Sequence, residues 1–256
     1  MSADADADAD AAARPADQET MESIVVEDAV TGYENSEILH GVSMRSRDGV
    51  TCIFGPNGSG KSTLIKALGG KLPLWSGSKR RGDRDLTNAN ASDMVDSGII
   101  TVPQDGGLFP TMSVKENLLL GGYTVDDKQT VQGRIDEALA AFPVLEDFLS
   151  AQAKSLSGGQ QMMLSFARAM VSGADIFLLD EPSAGLAPSL VDDVMEQVQT
   201  LVDNGKQVVL VEQNVKAALP TADHVYILAQ GSTQYDGPPS GLAEEDELIE
   251  LYLGLG

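Results

Sequence analysis

Ten residues near the beginning of the chain, "FGPNGSGKST" at 54–63, constrain its fold more than any other stretch. They follow the apolar run at 50–53 and open a segment of helical periodicity at 61–69. The glycines of this stretch allow backbone conformations that turn successive N–H groups toward an anion, and the start of the following helix adds its positive end. A strand, a loop of the pattern G-x4-G-K-S/T and a helix, in this order, predict a cradle for nucleotide phosphates in an α/β domain.

Each part of this loop has a predicted contact with the nucleotide. Lys61 can reach the β- and γ-phosphates, and the hydroxyl of Ser62 is a suitable ligand for Mg²⁺. A glycine-rich turn with a chance lysine is the alternative, but it requires neither the strand before the loop nor the helix after it. We therefore expect ATP and Mg²⁺ as cofactors, bound by Gly55, Pro56, Asn57, Gly58, Ser59, Gly60, Lys61, Ser62 and Thr63.

Two acids close another apolar run, "ADIFLLDEP" at 174–182. In an α/β sheet, the carboxyl ends of the strands and the phosphate loop share one edge. We therefore predict that Asp180 holds the metal through water and that Glu181 orients or deprotonates the attacking water. Two acids at the end of a strand are often only solvent-exposed residues where the chain leaves the sheet, but the phosphate loop favours the catalytic interpretation.

Six short apolar runs bounded by turn residues predict strands buried on both faces. Helical patterns alternate with them, which predicts an α/β fold with a largely parallel sheet. Strand signals stop between 104 and 174, so we expect a helical subdomain at about 105–173 inserted into a core at about 21–104 and 174–256. The strand runs lie at 23–30, 49–55, 98–104, 174–182, 206–214 and 224–231, and the helical patterns at 61–69, 113–121, 130–141, 160–172 and 188–203.

The charge of the chain limits its partners. Asp and Glu total 39 against 17 Lys and Arg, a formal net charge of -22, so sequence-independent binding to nucleic acid is not expected. The acids are spread over the whole chain, which predicts adaptation to concentrated salt, with an ordinary acidic protein as the alternative. Residues 1–20 alternate Ala and Asp and are predicted to be a disordered arm. The basic cluster "SGSKRRGDR" at 76–84 is predicted to be a solvated hairpin.

Cysteine content and apolar runs give two further limits. Cys52 is the single cysteine of the 256 residues, so no disulfide can form within the chain, and its apolar neighbours indicate a buried thiol. No apolar run reaches the roughly 18 residues that a membrane-spanning helix needs.

A second glycine-rich segment, "LSGGQ" at 156–160, lies between the phosphate loop and the paired acids. In the order phosphate loop, Gln104, "LSGGQ" and "FLLDEP", the chain resembles the ATP-binding-cassette ATPases from Val25 to Leu253. The resemblance implies a P-loop ATPase core with an antiparallel β arm. It also implies that two cassettes pack head to tail, and that the ATP of the partner cassette is contacted by Ser157, Gly158, Gly159 and Gln160.

The same resemblance gives three further residues a role. Tyr33 is implied to stack on the adenine base, Gln104 to contact the metal and the attacking water, and Gln213 to stand where most cassettes have a histidine at the γ-phosphate. A tyrosine at a strand end is also commonplace, which leaves packing as the alternative for Tyr33. Glutamine has no titratable proton near neutral pH, so we expect hydrolysis at this site to be slower or to depend on the partner's site.

Three segments, at 178–188, 210–219 and 248–254, resemble the smaller ATPase subunit of branched-chain amino-acid importers. This implies a second ATPase subunit, as a heterodimer or a homodimer, two membrane permease subunits, an extracellular solute-binding protein that acts indirectly, and a place on the cytoplasmic face of the membrane. Gln104 and "LSGGQQ" depart from that subgroup, where glutamate and "LSGGEQ" are commoner. The alternatives are a soluble cassette ATPase, such as one serving iron–sulfur cluster assembly, and a nucleotide-gated regulator without turnover.

Overall fold

The structure of the protein is a computed structural model that describes residues 23–242. The predicted arm at 1–20 and the segment at 248–254 lie outside the described residues. In chain order, the strands are β1 (Ile24–Tyr33), β2 (Ser36–Arg45), β3 (Val50–Phe54), β4 (Ser76–Arg81), β5 (Arg84–Asp85), β6 (Ile99–Val102), β7 (Ile176–Asp180), β8 (Gln207–Val211), β9 (His224–Ala229) and β10 (Ser232–Gly237). The α-helices are α1 (Lys61–Leu68), α2 (Ala91–Asp96), α3 (Val114–Gly121), α4 (Lys128–Ala141), α5 (Gly158–Val171), α6 (Pro188–Asp203), α7 (Val215–Ala218) and α8 (Pro239–Leu242).

A six-stranded sheet with the strand order β10-β9-β3-β8-β7-β6 forms the centre of the protein. All pairs of neighbouring strands are parallel except that of β10 with β9, at one edge. Every residue of β3 and β8 is buried, and the neighbours Cys52 and Ile53 belong to different apolar clusters, one on each face. The predicted α/β fold with a largely parallel sheet is therefore confirmed.

A second sheet, with the order β2-β1-β4-β5, is antiparallel throughout. It contains the apolar run at 23–30, whose composition is like that of the core strands although it lies outside the parallel sheet. The basic cluster at 76–84 forms the hairpin β4–β5, as predicted. The sequence patterns do not predict β2, β10 or α2.

Helices occupy the interval between β6 and β7. α3, α4 and α5 lie there, and α4 and α5 each begin two residues before their predicted starts. Serine side chains begin two of them: Ser113 and Ser157 each form a capping box with the residue three positions later. The exact boundaries of the helical subdomain at 105–173 stay predictions. No helix among residues 23–242 is long and apolar enough to cross a membrane.

The predicted solvation of the basic hairpin is wrong for Lys79, whose exposed fraction is 1%. Its Nζ donates to the carbonyl oxygens of Ala67 at 2.7 Å and Leu68 at 3.4 Å, at the last turn of α1. A cation at this position satisfies free carbonyls and complements the negative end of the helix dipole. Burial lowers the pKa of Lys79 from the ordinary 10.5 to about 8. One lysine thus attaches the antiparallel sheet to the helix that follows the phosphate loop.

Replacing Lys79 by Met should remove a pH-dependent part of the stability. Between the folded pKa of about 8 and the ordinary value of 10.5, the unfolded chain binds more protons, so the free energy of unfolding from this group rises with pH. In urea unfolding at constant salt, the wild type should therefore gain stability relative to Lys79→Met as pH rises from about 7.5 to 10. Lys128→Met, on the exposed start of α4, is the matched control and should show no such gain. A pH-independent difference between wild type and Lys79→Met would contradict the prediction.

Candidate functional site

The phosphate loop connects β3 to α1 and has the backbone that its glycines predict. Gly55, Gly58 and Gly60 have φ of 148°, 79° and 105°, values that side-chain-bearing residues rarely adopt. A Cβ at Gly55 would lie 2.0 Å from the carbonyl oxygen of Leu228, so only glycine fits there. A Cβ at Gly58 would meet nothing within 4 Å, which leaves open space in front of the loop.

Lys61 lies over this loop. Its exposed fraction is 4%, and its Nζ donates to the carbonyl oxygens of Gly55 at 2.7 Å and Pro56 at 3.1 Å. Burial lowers its pKa, whereas the charges of Glu181, Asp180 and Glu212 act in the opposite direction. A buried ammonium group at a loop of N–H donors fits the phosphates of a nucleotide.

The predicted metal ligands come from three separate elements. Asp180 ends β7, and its pKa is raised by burial and by Glu181. Asp180 and Gln104, which follows β6, line one open cavity of about 530 Å³. Ser62 lies exposed on the first turn of α1. A hydroxyl, an amide oxygen and one carboxylate suit Mg²⁺, which prefers oxygen ligands and takes others from water and substrate phosphates.

Residues 23–242 contain no cluster of three or more His, Cys, Asp or Glu side chains that could hold a metal ion on its own. The predicted set of Ser62, Gln104 and Asp180 contains a single carboxylate, so it is suited to a metal that arrives with its nucleotide. This assignment stays a prediction.

Glu181 has an unusual backbone for a glutamate, with φ of 48° in the left-handed region. This conformation costs about 1–2 kcal/mol for a residue with a side chain. Two hydrogen bonds hold it: the N–H of Glu181 donates to Val211 O at 2.9 Å, and that of Ala184 donates to Glu181 O at 3.0 Å. Asp28, Glu34 and Gln230 have the same conformation outside the candidate site, so at Glu181 it fixes the start of the loop after β7, and the catalytic role stays a prediction.

Of the other predicted nucleotide-site residues, Ser59 and Thr63 are buried in and after the phosphate loop, whereas Tyr33 and Gln213 lie at the surface. Tyr33 ends β1 with an exposed fraction of 44%, and the ammonium of Lys66 is 5.7 Å from the centre of its ring. Gln213 is exposed two residues after the end of β8. Both positions are compatible with contact to a nucleotide, and both roles stay predictions.

The second glycine-rich segment begins α5. The hydroxyl of Ser157 accepts from the N–H of Gln160 at 3.3 Å, and the Oε1 of Gln160 accepts from the N–H of Ser157 at 3.0 Å. Gly158 lies next to the loop after β7, since a Cβ there would be 3.4 Å from Leu186 Cδ2. α5 packs against α3 and α4, whereas α1 packs against β1 and β7, so the two glycine-rich segments belong to different layers.

Glu212, which lies between the end of β8 and Gln213, is a site residue that the sequence patterns do not predict. Its carboxylate is buried, and it accepts hydrogen bonds from the N–H groups of Ser183, Gln213 and Asn214. In the sequence, a glutamate after an apolar run looks like the solvent-exposed end of a strand. Only its position next to Gln213, a predicted site residue, could have pointed to Glu212.

Comparison with known proteins agrees with this geometry. The model of the ABC transporter family matches residues 39–184, which is more than half of the chain. The chain belongs to the ABC transporter family. It is an ATP-binding subunit with the ATPase domain that couples ATP hydrolysis to transport.

The similar proteins cover almost the full length of this ABC subunit. A probable branched-chain amino acid transport ATP-binding protein, LivF, of Archaeoglobus fulgidus is 37% identical over 88% of this chain and 95% of its own length. BraG, the high-affinity branched-chain amino acid transport ATP-binding protein of Pseudomonas aeruginosa, is 36% identical over 88% of this chain and 96% of its own length. The crystal structure of the ADP conformation of an ATP-binding cassette of an ABC transporter matches with a TM-score of 0.81 and 28% identity, covering 91% of this chain and 98% of that one.

Replacing Lys61 by Ala should abolish ATP hydrolysis. The substitution removes the ammonium that lies over the loop, and the loss of one such electrostatic group typically costs about 100- to 1,000-fold in turnover. Phosphate release by the purified chain measures the effect. Lys128→Ala, on the exposed start of α4, is the control and should keep the wild-type rate. Turnover by Lys61→Ala close to that of the control would refute the assignment of the loop.

Proposed function

We propose that this ABC subunit drives the uptake of branched-chain or other amino acids. The observation that carries the proposal is the shared edge of the parallel sheet, where the Lys61 loop, Asp180 and Glu181 converge as an ATP-hydrolysing site requires. The choice of an amino-acid importer is supported by the two relatives named above, at 37% and 36% identity. A lipopolysaccharide export ATP-binding protein of Escherichia coli, LptB, is 28% identical, so import is favoured over export by similarity.

In the proposed mechanism, the triphosphate of ATP lies on the N–H groups of residues 58–63, and Lys61 neutralises the β- and γ-phosphates. Tyr33 stacks on the adenine. Mg²⁺, when bound, supplies positive charge at the phosphates, and Ser62, Gln104 and Asp180 would hold it.

Two residues at the ends of neighbouring strands act on the reaction itself. Glu181 orients or deprotonates the attacking water, from a backbone held by hydrogen bonds with Val211 and Ala184. Gln213 donates an amide hydrogen bond to the γ-phosphate. An amide donor keeps the same charge at every pH near neutrality, so it aids binding without taking up a proton.

The exposed start of α5 is proposed to serve a second cassette. Ser157, Gly158, Gly159 and Gln160 would close over the ATP of the partner, which is either a different ATPase subunit or a second copy of this chain. The N-terminus of a helix attracts an anion, and Ser157 and Gly158 are exposed there.

When the two cassettes close on ATP, α5 can transmit this movement toward the membrane subunits. Arg168 of this helix donates to the carbonyl oxygens of Gly107 at 2.6 Å and Gly106 at 3.2 Å, in the loop that begins with Gln104. These hydrogen bonds join α5 to the Gln104 loop, so a displacement of one displaces the other. We place the complex on the cytoplasmic face of the membrane, with two permease subunits and an extracellular solute-binding protein as an indirect partner.

The partners can be tested with Glu181→Gln, which should bind ATP without hydrolysing it and remain closed. The tagged variant is purified with ATP from its own cells in high salt, and the companions are identified by mass spectrometry. We expect a second cassette ATPase and two polytopic membrane proteins. Glu181→Gln combined with Lys61→Ala is the matched control and should lose the second cassette. Recovery of soluble partners alone, for instance of a cluster-assembly system, would overturn the transporter proposal and leave the ATP chemistry intact.

We also propose that this subunit is adapted to concentrated salt, because its 39 acids exceed its 17 bases. Repulsion among exposed carboxylates acts over about 10 Å at 0.1 M salt and about 3 Å at 1 M.

The melting temperature should therefore rise between about 0.1 M and 1 M KCl, as the screening length falls from about 10 Å to about 3 Å. A variant with fewer exposed acids on α6, Asp192→Asn, Asp193→Asn and Glu196→Gln, should respond less to salt than the wild type. Full stability of the wild type in low salt would refute this adaptation.

A further inference from the structure

Glu212 follows directly after β8, and its carboxylate is buried although a charged residue at the end of a strand is normally exposed to solvent. β8 is buried along its whole length, and the chain then emerges at the exposed residues Gln213 and Asn214. Glu212 stands before this exit with an exposed fraction of 1%. Burial raises the pKa of its carboxyl group, and hydrogen bonds from Ser183, Asn214 and Gln213 act against that rise. A buried carboxylate is tolerated where such donors replace water.

The two oxygens of Glu212 serve two different loops. Oε1 accepts from the N–H of Ser183 at 2.9 Å, in the loop after β7. Oε2 accepts from the N–H groups of Gln213 at 3.1 Å and Asn214 at 3.4 Å, in the loop after β8. These loops line one cavity of about 300 Å³, with Ser183 and Gln213 both on its wall. The carboxylate is therefore a direct link between them.

Each linked loop carries a residue of the proposed reaction. Glu181 lies two residues before Ser183, and its backbone is already hydrogen-bonded to Val211, the residue before Glu212. Gln213 is fixed through its own N–H to the same carboxylate. Removing this acceptor would release both loops at the point where they approach each other.

We propose that Glu212 is a positioning residue that sets the place of Gln213 relative to Glu181 and so determines the rate of hydrolysis without contacting ATP. This inference rests on the proposed roles of Glu181 and Gln213. Glutamine cannot replace Glu212, although it has the same shape. Its amide has one acceptor oxygen, and its NH₂ group would face the N–H of one of the two loops.

The test is ATP hydrolysis by Glu212→Gln. A displacement of about 1 Å in a catalytic group can cost 100-fold, so kcat should fall roughly 10- to 100-fold. The affinity for ATP should fall by a smaller factor than kcat, because Lys61 keeps its hydrogen bonds to Gly55 and Pro56. Hydrogen exchange should become faster in segments 182–187 and 212–215. Unchanged kcat, or slower turnover with unchanged exchange in both segments, would overturn the proposal.

Two comparisons separate positioning from a general loss of structure. Asp223 is an exposed carboxylate that accepts from the N–H of Val50 at 2.9 Å, at the end of β3 away from the phosphate loop. Asp223→Asn therefore controls for the loss of a carboxylate bonded to a backbone N–H and should keep wild-type kcat. The double variant Glu212→Gln, Gln213→Ala should lose less activity than the product of the two single losses, because part of the loss in Glu212→Gln acts through Gln213. Losses that multiply would contradict the inference.

The result also distinguishes this inference from the proposed function. If Glu181→Gln still hydrolyses ATP, the proposed catalytic role itself fails, whereas an inactive Glu181→Gln with a fully active Glu212→Gln refutes the positioning role alone. Should Glu212→Gln not fold, Glu212→Asp takes its place under the same criteria, since its shorter side chain cannot span both loops.

Discussion

The parallel pairing of the central strands decides where the chemistry of this protein can lie. Parallel strands end at one edge of a sheet, and ligands of open α/β sheets bind at that edge. Here β3, β6, β7 and β8 lead respectively into the phosphate loop, Gln104, Glu181 and Gln213. Residues separated by more than 150 positions are brought to one place by the register of this sheet, and each loop needs to provide only a few side chains.

Local sequence was sufficient to predict those strands and helices that are buried because of their own apolar residues. The runs around Cys52 and Leu178 consist of residues that must leave water on both sides, so their strands could be predicted without knowledge of their neighbours. β2 and β10 are different, because they mix polar and apolar residues and are held by pairing with β1 and β9. α2 has six residues and depends on the capping box of Asn90 and Asp93. Such short elements are fixed by contacts that periodicity does not report.

The residues of the candidate site show the same difference: some are predictable from local sequence, and others only from the fold that brings them together. The phosphate loop was predictable because the glycines and Lys61 act on an anion through their own backbone and side chain. The importance of Glu212 was not, because it depends on N–H donors from two loops that the fold brings together. Lys79 likewise appears in sequence as one of several surface cations. Whether a charged group is buried depends on the partners that tertiary structure supplies, and the hydrophobic pattern contains no record of those partners.

Several cations of this protein are used to hold its own fold together. Lys79, Arg81, Arg134 and Arg168 all donate to backbone carbonyl oxygens of the fold. A carbonyl oxygen has no formal charge, so these four cations still count in the net charge of -22, but they are held within the fold and fewer cations remain to pair with exposed carboxylates. A protein surface that is to lie against this chain must therefore bring its own positive groups, or meet it where dissolved cations have already gathered.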